Sequence, residues 1–111
     1  MNNRRHERSA LNQTINITDM INGGGFGELI NISPDGLMVM TYAEVPTHAI
    51  YQLELELPTE IEGDNRIGLG ADCLWCRQVE NFNRYWAGFQ IIDASDQAMQ
   101  QIEKLIDNYS E

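Results

Sequence analysis

Three arginines within five residues, Arg4, Arg5 and Arg8, stand out in a chain with seven lysines and arginines against seventeen aspartates and glutamates. A protein of net charge −10 has gathered positive charge where an anion can use it. The planar guanidinium fork chelates phosphate oxygens or the O6/N7 edge of guanine, and its face stacks on a base. A second group follows at Asn31, Ser33 and Gly36, in the segment NISPDG. Asparagine accepts from a guanine N1 or N2 hydrogen or donates to an acceptor, a serine hydroxyl does either, and glycine lets backbone approach closely. A ligand with both guanine edges and phosphates engages all of these groups, which read as two halves of one anionic guanine-nucleotide site.

The elements that must position these residues follow from the pattern around them. Residues 1–9 are polar and lack apolar periodicity, which predicts a flexible arm that stays mobile until something holds it. Leu11 to Asp19 reads as a first strand, and the four glycines of MINGGGFG (Gly23, Gly24, Gly25, Gly27) as a flexible turn. In ELINIS, placing Ile30 and Ile32 against the core sends Asn31 and Ser33 outward side by side. Ser33, Pro34, Asp35 and Gly36 fit a type I turn into the next strand, LMVMTY.

Further on, Leu53, Leu55 and Leu57 alternate with Gln52, Glu54 and Glu56, the pattern of a strand with one buried face. A turn at EGDNR leads to a long strand, IGLGADCLWCRQV. RYWAGFQIID then places Tyr85, Ala87, Phe89 and Ile91 on one face. After Asp93 the spacing of Ala98, Met99, Ile102, Leu105, Ile106 and Tyr109 predicts a helix over about 95–109, with Ser95 as N-cap. About six short strands and one terminal helix make a mainly β chain: an antiparallel barrel or tightly bent sheet with the helix packed on it.

Composition removes several classes of function. At 111 residues and 42% hydrophobic, the chain suits one globular domain. No apolar run approaches the roughly 20 residues that cross a bilayer, and the polar start lacks a signal peptide's apolar stretch, so the expectation is a cytoplasmic protein without membrane insertion. Strong acidity disfavours binding to nucleic acid or anionic lipid, which need basic surface. Cys73 and Cys76 match CxxC, yet on a regular strand residues three apart point to opposite faces, and no further ligands complete a metal site. The glycine run lacks the Lys-Ser/Thr of a phosphate-binding loop, and no Ser/His/Asp or Cys/His grouping suggests an enzyme.

RRHER matches the pattern RxxxR through Arg4 and Arg8, and NISPDG matches (D/N)xSxxG through Asn31, Ser33 and Gly36. In that order and spacing, over nearly the whole chain, the sequence resembles the PilZ domain family. The strand order, Gly88 and Phe89 in a late G-x-F, and the terminal helix resemble it too. The resemblance implies a six-stranded antiparallel β-barrel over 10–111 that receives the bacterial second messenger cyclic di-GMP as its ligand, without a cofactor. It also implies that Arg4 and Arg8 grip phosphate and guanine from the arm, with Arg5 as a helper, while Asn31, Ser33 and Gly36 line the barrel face. Trp75 falls where some relatives place a tryptophan beside the ligand, and Arg77 shares its strand parity. Asn3 stands where relatives that bind an intercalated ligand pair look more basic, which favours a single bound molecule. A stand-alone receptor of this kind passes its signal to an unidentified downstream protein. The alternative within the same fold is a nucleotide-independent protein-interaction module, although such relatives typically lack the arginine motif.

Overall fold

A computed structural model describes residues 9, 10, 13–61, 63–80 and 82–109. Its strands are β1 (Ser9–Ala10), β2 (Asn16–Asp19), β3 (Gly25–Ile32), β4 (Gly36–Thr41), β5 (Ile50–Ile61), β6 (Asp64–Gln78) and β7 (Tyr85–Asp93), and one helix, α1 (Asp96–Tyr109), follows. The order β3-β2-β5-β6-β7-β4 closes on itself through β3–β4 pairing, giving a six-stranded antiparallel barrel. The two residues of β1 extend that sheet along β3, where Ser9 faces Ile32 and Ala10 faces Asn31. Closure leaves the six barrel strands without a free edge.

Alternation builds the interior. Leu53, Leu55 and Leu57 of β5 are buried together with Ile67 and Leu69 of β6, Val39 of β4, and Ala87 and Phe89 of β7. Phe26, Tyr51 and Phe89 meet as tilted and edge-on rings with centroids 5.7–6.0 Å apart. Helix α1 begins as its sequence signals indicate: Ser95 Oγ accepts from the Ala98 amide at 3.0 Å. It buries Ala98, Gln101, Ile102 and Leu105, and the Gln101 amide donates to the carbonyls of Ile61 (3.3 Å) and Arg66 (3.2 Å). Those two bonds tie the helix to the β5–β6 hairpin.

Four sequence expectations change, the first two because strict alternation fails at a bulge or at a strand end. The pairing of β3 with β4 shifts between Leu29 and Asn31, so Leu29 and Ile32 both face the core and Ile30 is only half-buried. Asn31 keeps its outer position, but Ser33 is 2% exposed and does not stand outward beside it. A second shift between Cys73 and Trp75 pairs Cys73 with Phe89 and Cys76 with Ala87. The two cysteines therefore share the inner side rather than opposite faces. The glycine run is also shorter as a turn than its composition suggests. Gly23 and Gly24 have positive φ there, whereas Gly25 and Gly27 already belong to β3. Ser9, expected within the mobile arm, pairs in β1.

A candidate ligand face on the barrel

Residues directly opposite one another on neighbouring strands share a face, so register decides which side chains meet. On β3, β4, β7 and the second half of β6 the pairs Asn31–Met38, Met38–Gly88 and Gly88–Trp75 form one outward row. Three strand spacings of about 4.8 Å separate its ends, roughly 14 Å of wall. On the far side of Asn31 its strand pairs with β1, Ala10 opposite Asn31. The neighbouring outward row is Glu28–Met40–Trp86–Arg77.

Asn31 anchors one end. Its amide nitrogen lies 3.7 Å from Met38 Sδ, while its Oδ1 is buried and has no hydrogen-bond partner among the described residues. A buried acceptor left unpaired costs about 1–3 kcal/mol, a cost that a ligand's donor would remove. Trp75 anchors the other end. Its indole lies against Gly88, where any side chain would collide with the ring. This gives the glycine of G-x-F its packing reason. The Arg77 guanidinium sits 5.6 Å from the Trp75 ring centroid, in cation–π range, and Trp75, Cys76 and Arg77 line a shallow groove of ≈ 420 Å³. Behind them burial, then the neighbouring Cys76, pushes the Cys73 thiol up to about 11, which disfavours the thiolate.

Ser33 and Gly36 shape the end of the face without presenting side chains on it. Ser33 N–H donates to the Gly36 carbonyl at 2.8 Å, closing a two-residue link through Pro34 and Asp35. Ser33 Oγ accepts from the amides of Asp35 (3.2 Å) and Gly36 (3.3 Å). The Asp35 carbonyl in turn accepts from the Ile91 amide at 2.9 Å, which fastens the turn to β7. Gly36 itself passes β7 so closely that a Cβ would stand 2.5 Å from the Phe89 carbonyl oxygen. Ligand candidates therefore divide: Asn31 and Trp75 share one row, whereas Ser33 and Gly36 hold the turn beside it.

Arg4, Arg5 and Arg8 lie outside the described residues. The next residue in sequence, Ser9, is paired with Ile32 at the Asn31 end of the face. Of the four described cations, Arg77 and Arg84 belong to this side of the barrel, while Arg66 is paired with Glu54 at 3.3 Å on the other. Sequence parity already grouped Arg77 with Trp75. Met38 and Gly88 joined the face only through cross-strand register, a relation between segments some fifty residues apart that local pattern does not carry.

Comparison with known proteins adds three findings. The family model described as PilZ domain matches residues 2–108. Comparison with curated proteins finds no match. Among solved structures, the chain is similar to the PilZ domain with c-di-GMP of YcgR from Escherichia coli, at 13% identity and a TM-score of 0.68, covering 96% of this chain and 90% of that one. It is similar also to MrkH of K. pneumonia in its apo state (15% identity, TM-score 0.74, 97% and 52% covered). A third likeness is to the Bacillus subtilis inhibitor of motility MotI/DgrA (13%, 0.71, 93% and 50%). The chain thus spans about half the length of the last two, and the likeness is one of fold.

Proposed function

The chain belongs to the PilZ domain family, and from that premise we propose that it is a receptor for cyclic di-GMP, bound on the outer row that runs from Asn31 to Trp75. The observation that carries this reading is the buried Oδ1 of Asn31, without a partner among the described residues, at one end of a glycine-floored row whose other end is an indole. Asn31 Oδ1 accepts from the N1–H or N2–H edge of a guanine, and Trp75 offers a stacking surface. Arg4 and Arg8, with Arg5 beside them, supply the phosphate and guanine contacts from the arm, which enters the barrel through β1 next to Asn31. Ser33 and Gly36 keep the β3–β4 turn in the shape that leaves the row open.

Binding orders residues 1–8 over the face, and the free energy for that closure comes from the ligand's preference for the closed state. One ligand molecule per chain is expected, and salt weakens the phosphate contacts. A downstream protein then reads the closed arm. Titration calorimetry with cyclic di-GMP tests the proposal. A binding isotherm that Arg8→Ala and Asn31→Ala each weaken about tenfold or more is expected, whereas absence of heat at about 50 micromolar would sink it.

A further inference from the structure

A second concavity lies beyond the end of the candidate ligand face. It is a groove of ≈ 690 Å³ lined by Met40, Val79, Phe82, Asn83, Arg84 and Trp86. We propose that this groove docks an apolar side chain carried on an acidic segment of a partner protein. The inference stands apart from nucleotide binding, because none of its six lining residues belongs to the Asn31–Trp75 row.

Three observations carry it. The first is composition: Met, Trp, Phe and Arg are the residue types that anchor protein interfaces, and here they surround one hollow. Phe82 is 65% exposed at the β6–β7 hairpin tip, beside an apolar concavity that it does not fill.

The second is rigidity. Val79 N–H donates to the Arg84 carbonyl at 2.8 Å and Phe82 N–H to the Val79 carbonyl at 3.2 Å, which closes the tip. The Arg84 guanidinium lies 5.2 Å from the Tyr42 ring centroid and donates to the Asn83 carbonyl at 2.9 Å. A groove whose walls are already ordered loses little entropy when a partner enters.

Charge supplies the third observation and selects the occupant. In a chain of net charge −10, no carboxylate among the described residues lines the groove and a guanidinium does; Glu80 is exposed in the same hairpin but is not part of the lining. An acidic segment is therefore drawn to this hollow and repelled by most of the remaining surface, whereas a basic one prefers the carboxylates of β5. Met40 and Trp86 also lie one row from Met38 and Gly88, so an occupant seated here comes within reach of whatever covers the ligand face.

The test uses the full ¹⁵N-labelled chain and two synthetic peptides with the same leucine pattern, one with glutamate and one with lysine at the polar positions. The glutamate peptide is expected to shift the Trp86 indole signal and the amides of Phe82 to Arg84. Phe82→Ser and Arg84→Glu, both at exposed positions, should each weaken it about tenfold while leaving the chain folded and cyclic di-GMP titrations unchanged. Unmoved groove signals would overturn the proposal, as would equal occupancy by the lysine peptide or indifference to Phe82→Ser. Concentration-dependent dimerisation abolished by Phe82→Ser would also overturn it, by assigning the groove to a second copy of the chain.

Discussion

On the wall built from β2, β5 and the first half of β6, the β5–β6 ladder runs unshifted from Ile50–Asp72 to Glu56–Arg66. On the wall built from β3, β4, β7 and the second half of β6, three shifts interrupt the pairing, at Leu29/Asn31, at Gly70/Ala71 and at Cys73/Trp75. Both walls send apolar residues inward: Leu53, Leu55 and Ile67 from the first, Val39, Ala87 and Phe89 from the second. Their outer faces diverge. The regular wall shows Glu54, Glu56, Arg66 and Gly68, a solvated surface with one exposed ion pair. The bulged wall shows an amide oxygen unpaired among the described residues, an indole on glycine and an arginine on that indole. A bulge adds one residue to one strand, so it can re-aim an outer side chain while the inner positions on either side stay in the core. The barrel thus holds its interior constant and varies one exterior.

If the interior is common property, damage to it should be indifferent to the wall. Phe89→Ala and Leu55→Ala empty comparable volume on the bulged and regular walls. Each should cost about 3–5 and 2–5 kcal/mol respectively, read from urea unfolding midpoints. A loss below about 1 kcal/mol at either site would break the symmetry of the two interiors.

The next largest effect is confined to the bulged wall. Gly36→Ala drives a methyl group to 2.5 Å from the Phe89 carbonyl oxygen, so β4 must move away from β7. A loss of about 1–3 kcal/mol is expected. Gly68→Ala on the regular wall is the control: its new methyl meets only the Met20 sulfur, at an ordinary 3.8 Å, and stability should stay within about 0.5 kcal/mol. A Gly36→Ala protein as stable as wild type would mean that this glycine does not fix the strand approach.

Outer-face substitutions sharpen the comparison because stability and affinity should part company. Asn31→Ala removes a buried acceptor that lacks a partner among the described residues, and should leave stability unchanged or raised by up to about 1 kcal/mol while cyclic di-GMP affinity falls. Glu54→Ala on the regular wall breaks an exposed ion pair worth about 0–1 kcal/mol and should leave affinity untouched. Calorimetry and thermal melting on the same samples check both. An Asn31→Ala protein destabilised by more than about 2 kcal/mol, with intact affinity, would make the residue structural.

How much of this was legible in the sequence depends on whether a feature is local. The leucine alternation of β5, the Ser95 cap and the apolar stripe of α1 each reside in a few consecutive residues, and all three appear where the pattern puts them. The outward row does not reside anywhere in the sequence. It exists because Asn31, Met38, Gly88 and Trp75 fall into register across four strands, and two of those strands carry a bulge that parity counting steps over. Ser33 shows the same limit from the other side. Its motif position was readable, but only the turn shows that its hydroxyl is occupied by the Asp35 and Gly36 amides.

The smallest expected effect concerns the two turns that flank β3. The β3–β4 turn is held by the Ser33 hydroxyl, a group that does not titrate. The β2–β3 turn is held by a carboxylate: Asp19 accepts from the amide of Ile21 at 2.8 Å, and from the amide and side chain of Asn22, each at 3.1 Å. Burial alone would raise the Asp19 pKa, but the three hydrogen bonds together outweigh it and hold the value below the ordinary 3.8. A depressed folded-state pKa contributes stability that is present above the unfolded value and disappears as pH falls through the folded one. Acid should therefore loosen the β2–β3 turn, whereas the Ser33 hydroxyl bonds of the β3–β4 turn do not themselves titrate. Amide exchange at Ile21 and Asn22, compared with Asp35 and Gly36 between pH 6 and pH 3, reads the difference. Asp19→Asn should flatten the first pair's pH dependence and leave the second pair unchanged. Parallel acid loosening of both turns would show that the carboxylate is not what distinguishes them.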